Sequence, residues 1–269
     1  MGRFDGRNAI VTGASSGIGR AIAVAFADDG AHVVAVGRNE SRLLETKSQA
    51  PAGSVETLVL DVSDYDAVQR EVQQLVEELG HIHVLVNCAG IAPQTGVLDI
   101  SREQWEQVIA TNLSGAFYMS QASARNMVER GGGVIVNISS ANSFVVESPY
   151  ADYNASKAGL NQLTTSMAFE LGHLGIRCVC VAPGMTMTPM MDFTHDQATY
   201  RHYMELIPLR RAAAPREQAG VVLFVASDEA SYINGVTIRV DGGIMHGFWA
   251  DPRLAPPVEP FDAESDSQD

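Results

Sequence analysis

Apolar residues follow two alternating patterns along this chain. Short, near-continuous apolar runs lie at 9–11, 33–36, 55–60, 84–86, 134–138, 178–181 and 237–240. Longer stretches with helical spacing separate them, at 17–29, 41–49, 64–79, 101–129, 151–173 and 215–227. A short Val/Ile-rich run that ends in a Gly-containing turn reads as a strand buried on both faces. Strands joined by helical crossovers pair in parallel and are covered on both sides. The pattern predicts an α/β chain, a doubly wound parallel seven-stranded sheet with helices on both faces. No repeat or linker interrupts it, so one domain over residues 1–250 is expected.

Two regions break the rhythm. Residues 185–209 carry Met185, Met187, Met190, Met191, Phe193, Tyr200, Tyr203 and Met204 with little strand character. Flexible thioethers and aromatic rings suit a substrate lid; a plain amphipathic packing stripe has the same composition. Residues 251–269 hold four prolines and six acidic residues against one arginine, which predicts a flexible acidic tail.

Charge and cysteine content narrow the function classes. A net charge of −14 argues against a nucleic-acid surface and against binding anionic membranes. No apolar run approaches the ~18 residues of a membrane span. The first residues show no secretory pattern, so a cytoplasmic protein is expected. Cys88, Cys178 and Cys180 lack metal-ligand spacing and read as buried thiols. His81 and His83 have no third ligand nearby, so no metal is expected.

The first apolar run leads into Thr12-Gly13-Ala14-Ser15-Ser16-Gly17-Ile18-Gly19 and then a helix. Glycines at such a turn let the backbone approach a pyrophosphate at a helix N-terminus. That context makes the fold Rossmann-type. After the second strand, an acidic residue would suit the ribose hydroxyls of NAD and an arginine the 2′-phosphate of NADP. The chain reads Val36-Gly37-Arg38-Asn39 there, which favours NADP and leaves NAD possible.

Tyr153 and Lys157 lie four apart in a helical stretch, on one face. An ammonium beside a phenol would lower its pKa and make it a general acid/base near neutral pH. Lys157 is one of only two lysines, with Lys47, in a chain that otherwise uses arginine. A solvated surface pair would have the same spacing.

The residues together resemble the classical short-chain dehydrogenases/reductases from about residue 4 to residue 244. The matching motifs are the glycine turn at 12–19, Asp61-Val62, Asn87-Cys88-Ala89-Gly90, Asn112, Ser139-Ser140, Tyr153-x-x-x-Lys157, Pro183-Gly184 and Val240-Asp241-Gly242-Gly243. The family's second Asn is Cys88 here, and its usual Gly-Arg is Arg210-Arg211. The resemblance implies an oxidoreductase interconverting a secondary alcohol and a ketone, NADP-preferring on the Arg38 turn; the alternatives are an NAD-dependent alcohol/polyol dehydrogenase of the same family and a non-catalytic dinucleotide-binding regulatory protein. In the oxidoreductase Tyr153 is the acid/base and Ser140, 13 before Tyr153, bonds the substrate oxygen. Lys157 lowers the tyrosine pKa and holds the nicotinamide ribose, and Asn112 positions a relay water. It further implies cofactor contacts from Gly13, Ser15, Ser16, Gly17, Ile18, Gly19, Arg38, Asp61, Val62, Asn87, Ala89, Gly90, Pro183, Gly184, Thr186 and Thr188. Asn142, Glu147, Tyr150, Met185 and Met190 are expected in the substrate pocket, beside Phe144, Val145, Val146 and His195. Relatives are often homotetramers built on their two long helices, with dimers as the alternative.

Overall fold

The computed structural model describes residues 2–191 and 197–246. All seven apolar runs form strands: β1 (Asn8–Thr12), β2 (His32–Gly37), β3 (Val55–Val59), β4 (Val84–Asn87), β5 (Gly133–Ile138), β6 (Ile176–Pro183) and β7 (Thr237–Val240). They make one parallel sheet in the order β3-β2-β1-β4-β5-β6-β7. The chain builds outward from β1 to β3, then returns to the other side of β1 with β4. That reversal leaves a crevice at the carboxyl ends of β1 and β4, where ligands bind in such sheets.

The helices are α1 (Gly17–Asp28), α2 (Glu40–Ser48), α3 (Tyr65–Leu79), α4 (Arg102–Ile109), α5 (Gly115–Glu129), α6 (Ala151–Leu171), α7 (Gln197–Leu206) and α8 (Pro215–Ala226). Alternate strand residues point to opposite faces, so β1 serves two cores. Ala9 and Val11 pack with Ile22 and Phe26 of α1 and Val222 and Leu223 of α8. Ile10 packs with Val68 and Val72 of α3 and Met119 and Met127 of α5. Asn39, Asp64 and Ser101 start α2, α3 and α4 by accepting the backbone N–H of Arg42, Ala67 and Gln104.

The predicted helix 101–129 is not continuous. A π-helical turn, Ala110–Ser114, separates α4 from α5. Its widened ring holds Asn112, whose Oδ1 accepts Ile91 N–H at 2.9 Å and whose Nδ2 donates to Ile91 C=O at 2.9 Å. Periodicity could not show this, because one inserted residue leaves the composition helical.

Within 185–209, α7 forms a small apolar cluster: Tyr200, Met204 and Ile207 pack with Ala212, Met185, Met187 and Met191. Beyond it Arg210 takes φ 59°, the left-handed region that glycine adopts without strain. Phe193, His195 and the expected tail 251–269 lie outside the described residues. Among the described residues no helix is long and apolar enough to cross a membrane, and no cluster of His, Cys, Asp and Glu could hold a metal ion.

Candidate active site

A cleft of about 1340 Å³ runs along the carboxyl ends of the strands. One end is built by the turn between β1 and α1. Thr12 Oγ1 accepts the N–H groups of Cys88 and Ala89 at 3.0 and 3.1 Å, locking β1 to the end of β4. Gly13 has φ 68°, and a Cβ there would stand 2.7 Å from Ala89 N. A Cβ on Gly19 would collide with the Gly13 carbonyl. The first amides of α1 receive no side-chain cap from Ser16. A helix N-terminus left open behind a turn with no room for a side chain at Gly13 or Gly19 fits a pyrophosphate. Gly13, Ser15, Ser16, Gly17, Ile18 and Gly19 all line this part of the cleft.

Further along lie Arg38, Asp61, Val62 and Arg42. Arg38 Nη1 stands 3.7 Å from Asp61 Oδ2, with both side chains well exposed. Burial raises the Asp61 pKa, but the Ser63 hydroxyl and amide and the Arg38 guanidinium outweigh it and hold it below the usual range. Asn39 is spent on capping α2. Arg42 is a second cation at this end. Sequence spacing missed it, and only its place in the first turn of α2 signalled it.

Ala89, Gly90, Pro183, Gly184, Thr186 and Thr188 line the middle of the cleft. Gln218, buried on α8, donates to Thr186 Oγ1 at 3.2 Å and to Val240 C=O at 3.1 Å. Asn87 does not line the cleft. Its Nδ2 donates to Asn137 Oδ1 at 2.8 Å and Ser120 Oγ at 2.9 Å, so it ties β4 to β5 and α5 from the interior.

Tyr153, Ser140 and Lys157 converge at the far end. Ser140 sits where β5 ends, with its Oγ accepting Asn142 N–H at 3.1 Å. The neighbouring Ser139 is buried and donates to the Lys157 carbonyl at 3.2 Å, which leaves Ser140 as the serine facing Tyr153. The first turn of α6 is anchored by Asp152, which is fully buried. Asp152 accepts Tyr153 N–H at 2.8 Å on one oxygen and Gln104 Nε2 at 2.7 Å on the other. The motif reading missed this support, although an acidic residue in a helix's first turn is a signal for it.

The Tyr153 phenol is not lowered, contrary to the sequence expectation. Burial pushes it up to about 12. A hydrogen bond with Ser140 opposes this, while Glu147, Cys88 and Tyr150 add to it. Lys157 Nζ lies 5.6 Å from the ring centroid and donates to the Ile138 carbonyl at 2.8 Å. The ammonium thus faces the ring and the backbone, and desolvation dominates. Burial also lowers the Lys157 pKa. Asn112 does not line the cleft either. Its amide is engaged with Ile91 and with Ser156 Oγ at 3.1 Å, though it lies close behind Gly90 and Lys157.

Asn142, Val145, Val146, Glu147, Tyr150, Met185 and Met190 form the remaining wall. Phe144 does not; it is half-exposed beneath the Arg239 guanidinium, 5.4 Å from its ring centroid. Tyr203 of α7 reaches across to Glu147.

A family model described as enoyl-(acyl carrier protein) reductase matches residues 13–245. The 3-oxoacyl-[acyl-carrier-protein] reductase of Thermotoga maritima is 38% identical over 245 residues, 90% of this chain and 99% of its own length. D-threitol dehydrogenase of Mycolicibacterium smegmatis is 37% identical over 243 residues, 90% of this chain and 94% of its own. A solved structure from Burkholderia xenovorans, described as a candidate short-chain dehydrogenase/reductase, superposes with a TM-score of 0.88. It is 36% identical and covers 91% of this chain and 98% of that one. The ordered motifs, the strand order and these similarities agree: the chain belongs to the classical short-chain dehydrogenases/reductases and is an oxidoreductase of NAD(P) type.

Proposed function

We propose that this protein is an NADP-preferring oxidoreductase that interconverts a secondary alcohol and a ketone. The observation that carries the reading is one continuous cleft joining the glycine-rich turn at 13–19 to Tyr153, Ser140 and Lys157. The nicotinamide cofactor, when bound, accepts or supplies the hydride. The residues at 13–19 and Thr188 hold its phosphates, and Asp61 and Val62 flank its base. Arg38, with Arg42 beside it, offers the positive edge that a 2′-phosphate requires. Ser140 donates to the substrate oxygen. Tyr153 gives that oxygen its proton in reduction and removes it in oxidation. Lys157 steadies the charge that develops there, and Asn112, bonded to both backbone groups of Ile91, fixes the chain beside it.

The described part of 185–209 acts as a lid, because α7 borders the substrate end of the cleft and is tied to it by Tyr203. Exposed Trp105, Phe117 and Phe169 on α4, α5 and α6 support a homotetramer built on these helices. The free thiols of Cys88, Cys178 and Cys180 support a cytoplasmic setting. The test is nicotinamide absorbance with a panel of ketones and alcohols and both cofactors. Absence of turnover with every pair would refute the reading.

A further inference from the structure

The polar atoms at the substrate end narrow the choice of substrate. Glu147 is half-buried on the loop between β5 and α6 and lines the cleft. Its Oε1 accepts the Tyr203 hydroxyl of α7 at 2.5 Å, and its Oε2 accepts Asn142 Nδ2 at 2.9 Å. Asn154 donates to the Glu147 carbonyl at 2.9 Å and accepts from Asn142 at 3.1 Å. Asn154 is the residue after Tyr153, so the carboxylate is braced against the helix that carries the phenol. Its charge reaches three neighbouring phenols, contributing to the raised pKa of Tyr153, Tyr150 and Tyr203.

An ionised carboxylate offers about four acceptor sites, and two are occupied here. The other polar groups on this wall, Asn142, Tyr150 and Tyr203, are neutral. Two cations also line the cleft, Lys157, held to the Ile138 carbonyl at 2.8 Å, and Arg210, which donates to the Glu205 carbonyl at 2.8 Å, and Glu205 lines the cleft with them. A substrate carboxylate or phosphate placed against Glu147 would meet a like charge in a partly desolvated space, which is unfavourable. A hydroxyl would find a charged acceptor with spare capacity.

We propose, building on the alcohol–ketone reading above, that Glu147 is the specificity-determining residue of the site. Its carboxylate accepts a hydrogen bond from a second hydroxyl of the substrate, beside the reacting carbinol. It thereby selects uncharged polyhydroxylated molecules, polyols and sugars, over substrates that carry a carboxylate or phosphate. Tyr203 binds the same carboxylate, so the hydroxyl that docks on Glu147 also meets the helix that covers it.

The experiment compares kcat/KM of wild type and Glu147→Gln on three probe sets. These are neutral tetritols, pentitols and hexitols, the matching aldonates, and simple secondary alcohols such as 2-butanol. Wild type is expected to favour a polyol over its aldonate by at least about 10-fold. Glu147→Gln should lower the polyol-to-simple-alcohol ratio by about 10- to 100-fold, mainly through KM, the loss expected for a hydrogen bond to a charged acceptor. Both values of the ratio come from one preparation, so partial misfolding cancels. If the variant does not fold, the wild-type preference between polyol and aldonate still decides. A ratio unchanged within about 2-fold, or a wild type that favours aldonates, overturns the proposal. Turnover of simple ketones with no polyol overturns it and leaves the alcohol–ketone reading standing. No turnover of any alcohol or ketone overturns both.

Discussion

Replacing Arg38 by leucine should erode the preference for NADP over NAD. A charge-assisted hydrogen bond contributes about 1.5–3 kcal/mol in favourable settings. Arg38 is not in such a setting: its side chain is 56% exposed and Asp61 stands 3.7 Å from Nη1. Solvent screening and the competing carboxylate reduce the contribution to about 1–2 kcal/mol, or roughly 5- to 30-fold in kcat/KM. Moving an acidic residue to position 37 is a poorer test. The Cβ of any residue at Gly37 would run into Ser15 Oγ, so the Ser15 hydroxyl at the phosphate end of the cleft would have to rotate away. Arg38→Leu changes charge without that collision. The assay is kcat/KM for both cofactors at one ionic strength, repeated at high salt, where the wild-type preference should shrink. A wild-type enzyme that prefers NAD, or a ratio unmoved by Arg38→Leu, would refute the assignment of this edge to a 2′-phosphate.

Tyr153→Phe should keep cofactor binding, read by nicotinamide fluorescence, while turnover falls by about 10²–10⁴; retention of most activity would exclude Tyr153 as the acid/base. Ser140→Ala should lower kcat by roughly 10²–10³, as loss of one donor to the reacting oxygen does. Because burial holds the phenol protonated, ketone reduction should be flat through neutral pH while alcohol oxidation climbs with pH, and an oxidation rate already level below neutrality would contradict this. Gly13→Ala should lower Tm and abolish cofactor binding together, since its methyl group must displace Ala89; unaltered affinity would show the turn to be adaptable. Glu217 accepts from Arg211 at 2.6 and 2.7 Å and from Ala214 N–H at 2.9 Å, and chiefly the Arg211 bonds hold its pKa down to about 2. Its stabilisation is present above the ordinary value of 4.5 and is lost as pH falls through about 2. Melting curves of wild type and Glu217→Gln should therefore differ at neutral pH and converge near that value.

The sheet was legible because each buried strand carries its own apolar run, and the glycine turn because only glycine tolerates its approaches. That Ser140, Tyr153 and Lys157 meet in one cleft was legible from their spacing together with the family resemblance. Features that depend on distant segments meeting were not. Asn87 looked like a cleft residue in the Asn-Cys-Ala-Gly motif, yet its partners are Ser120 and Asn137. The Tyr153 phenol looked lowered by Lys157, but burial, a tertiary quantity, sets its direction. The hydroxyl of Tyr203 was visible only as part of an apolar stripe, because its acceptor lies 56 residues away.

The π-helical turn between α4 and α5 has a consequence best put in terms of phase. A helix is a screw, and one surplus residue advances it by about 100° without changing its axis. One rod therefore presents two differently aimed inner faces. Before the turn, Gln104 points to Asp152 at the root of the catalytic helix. After it, Asn126 points to the backbone of Ile82 and Gly80 at the start of β4. The first half sets the aim of Tyr153, and the second half fastens the sheet. Damage to α4 should register first in turnover and damage to α5 first in melting temperature, so adjacent halves of one rod can drift under separate constraints.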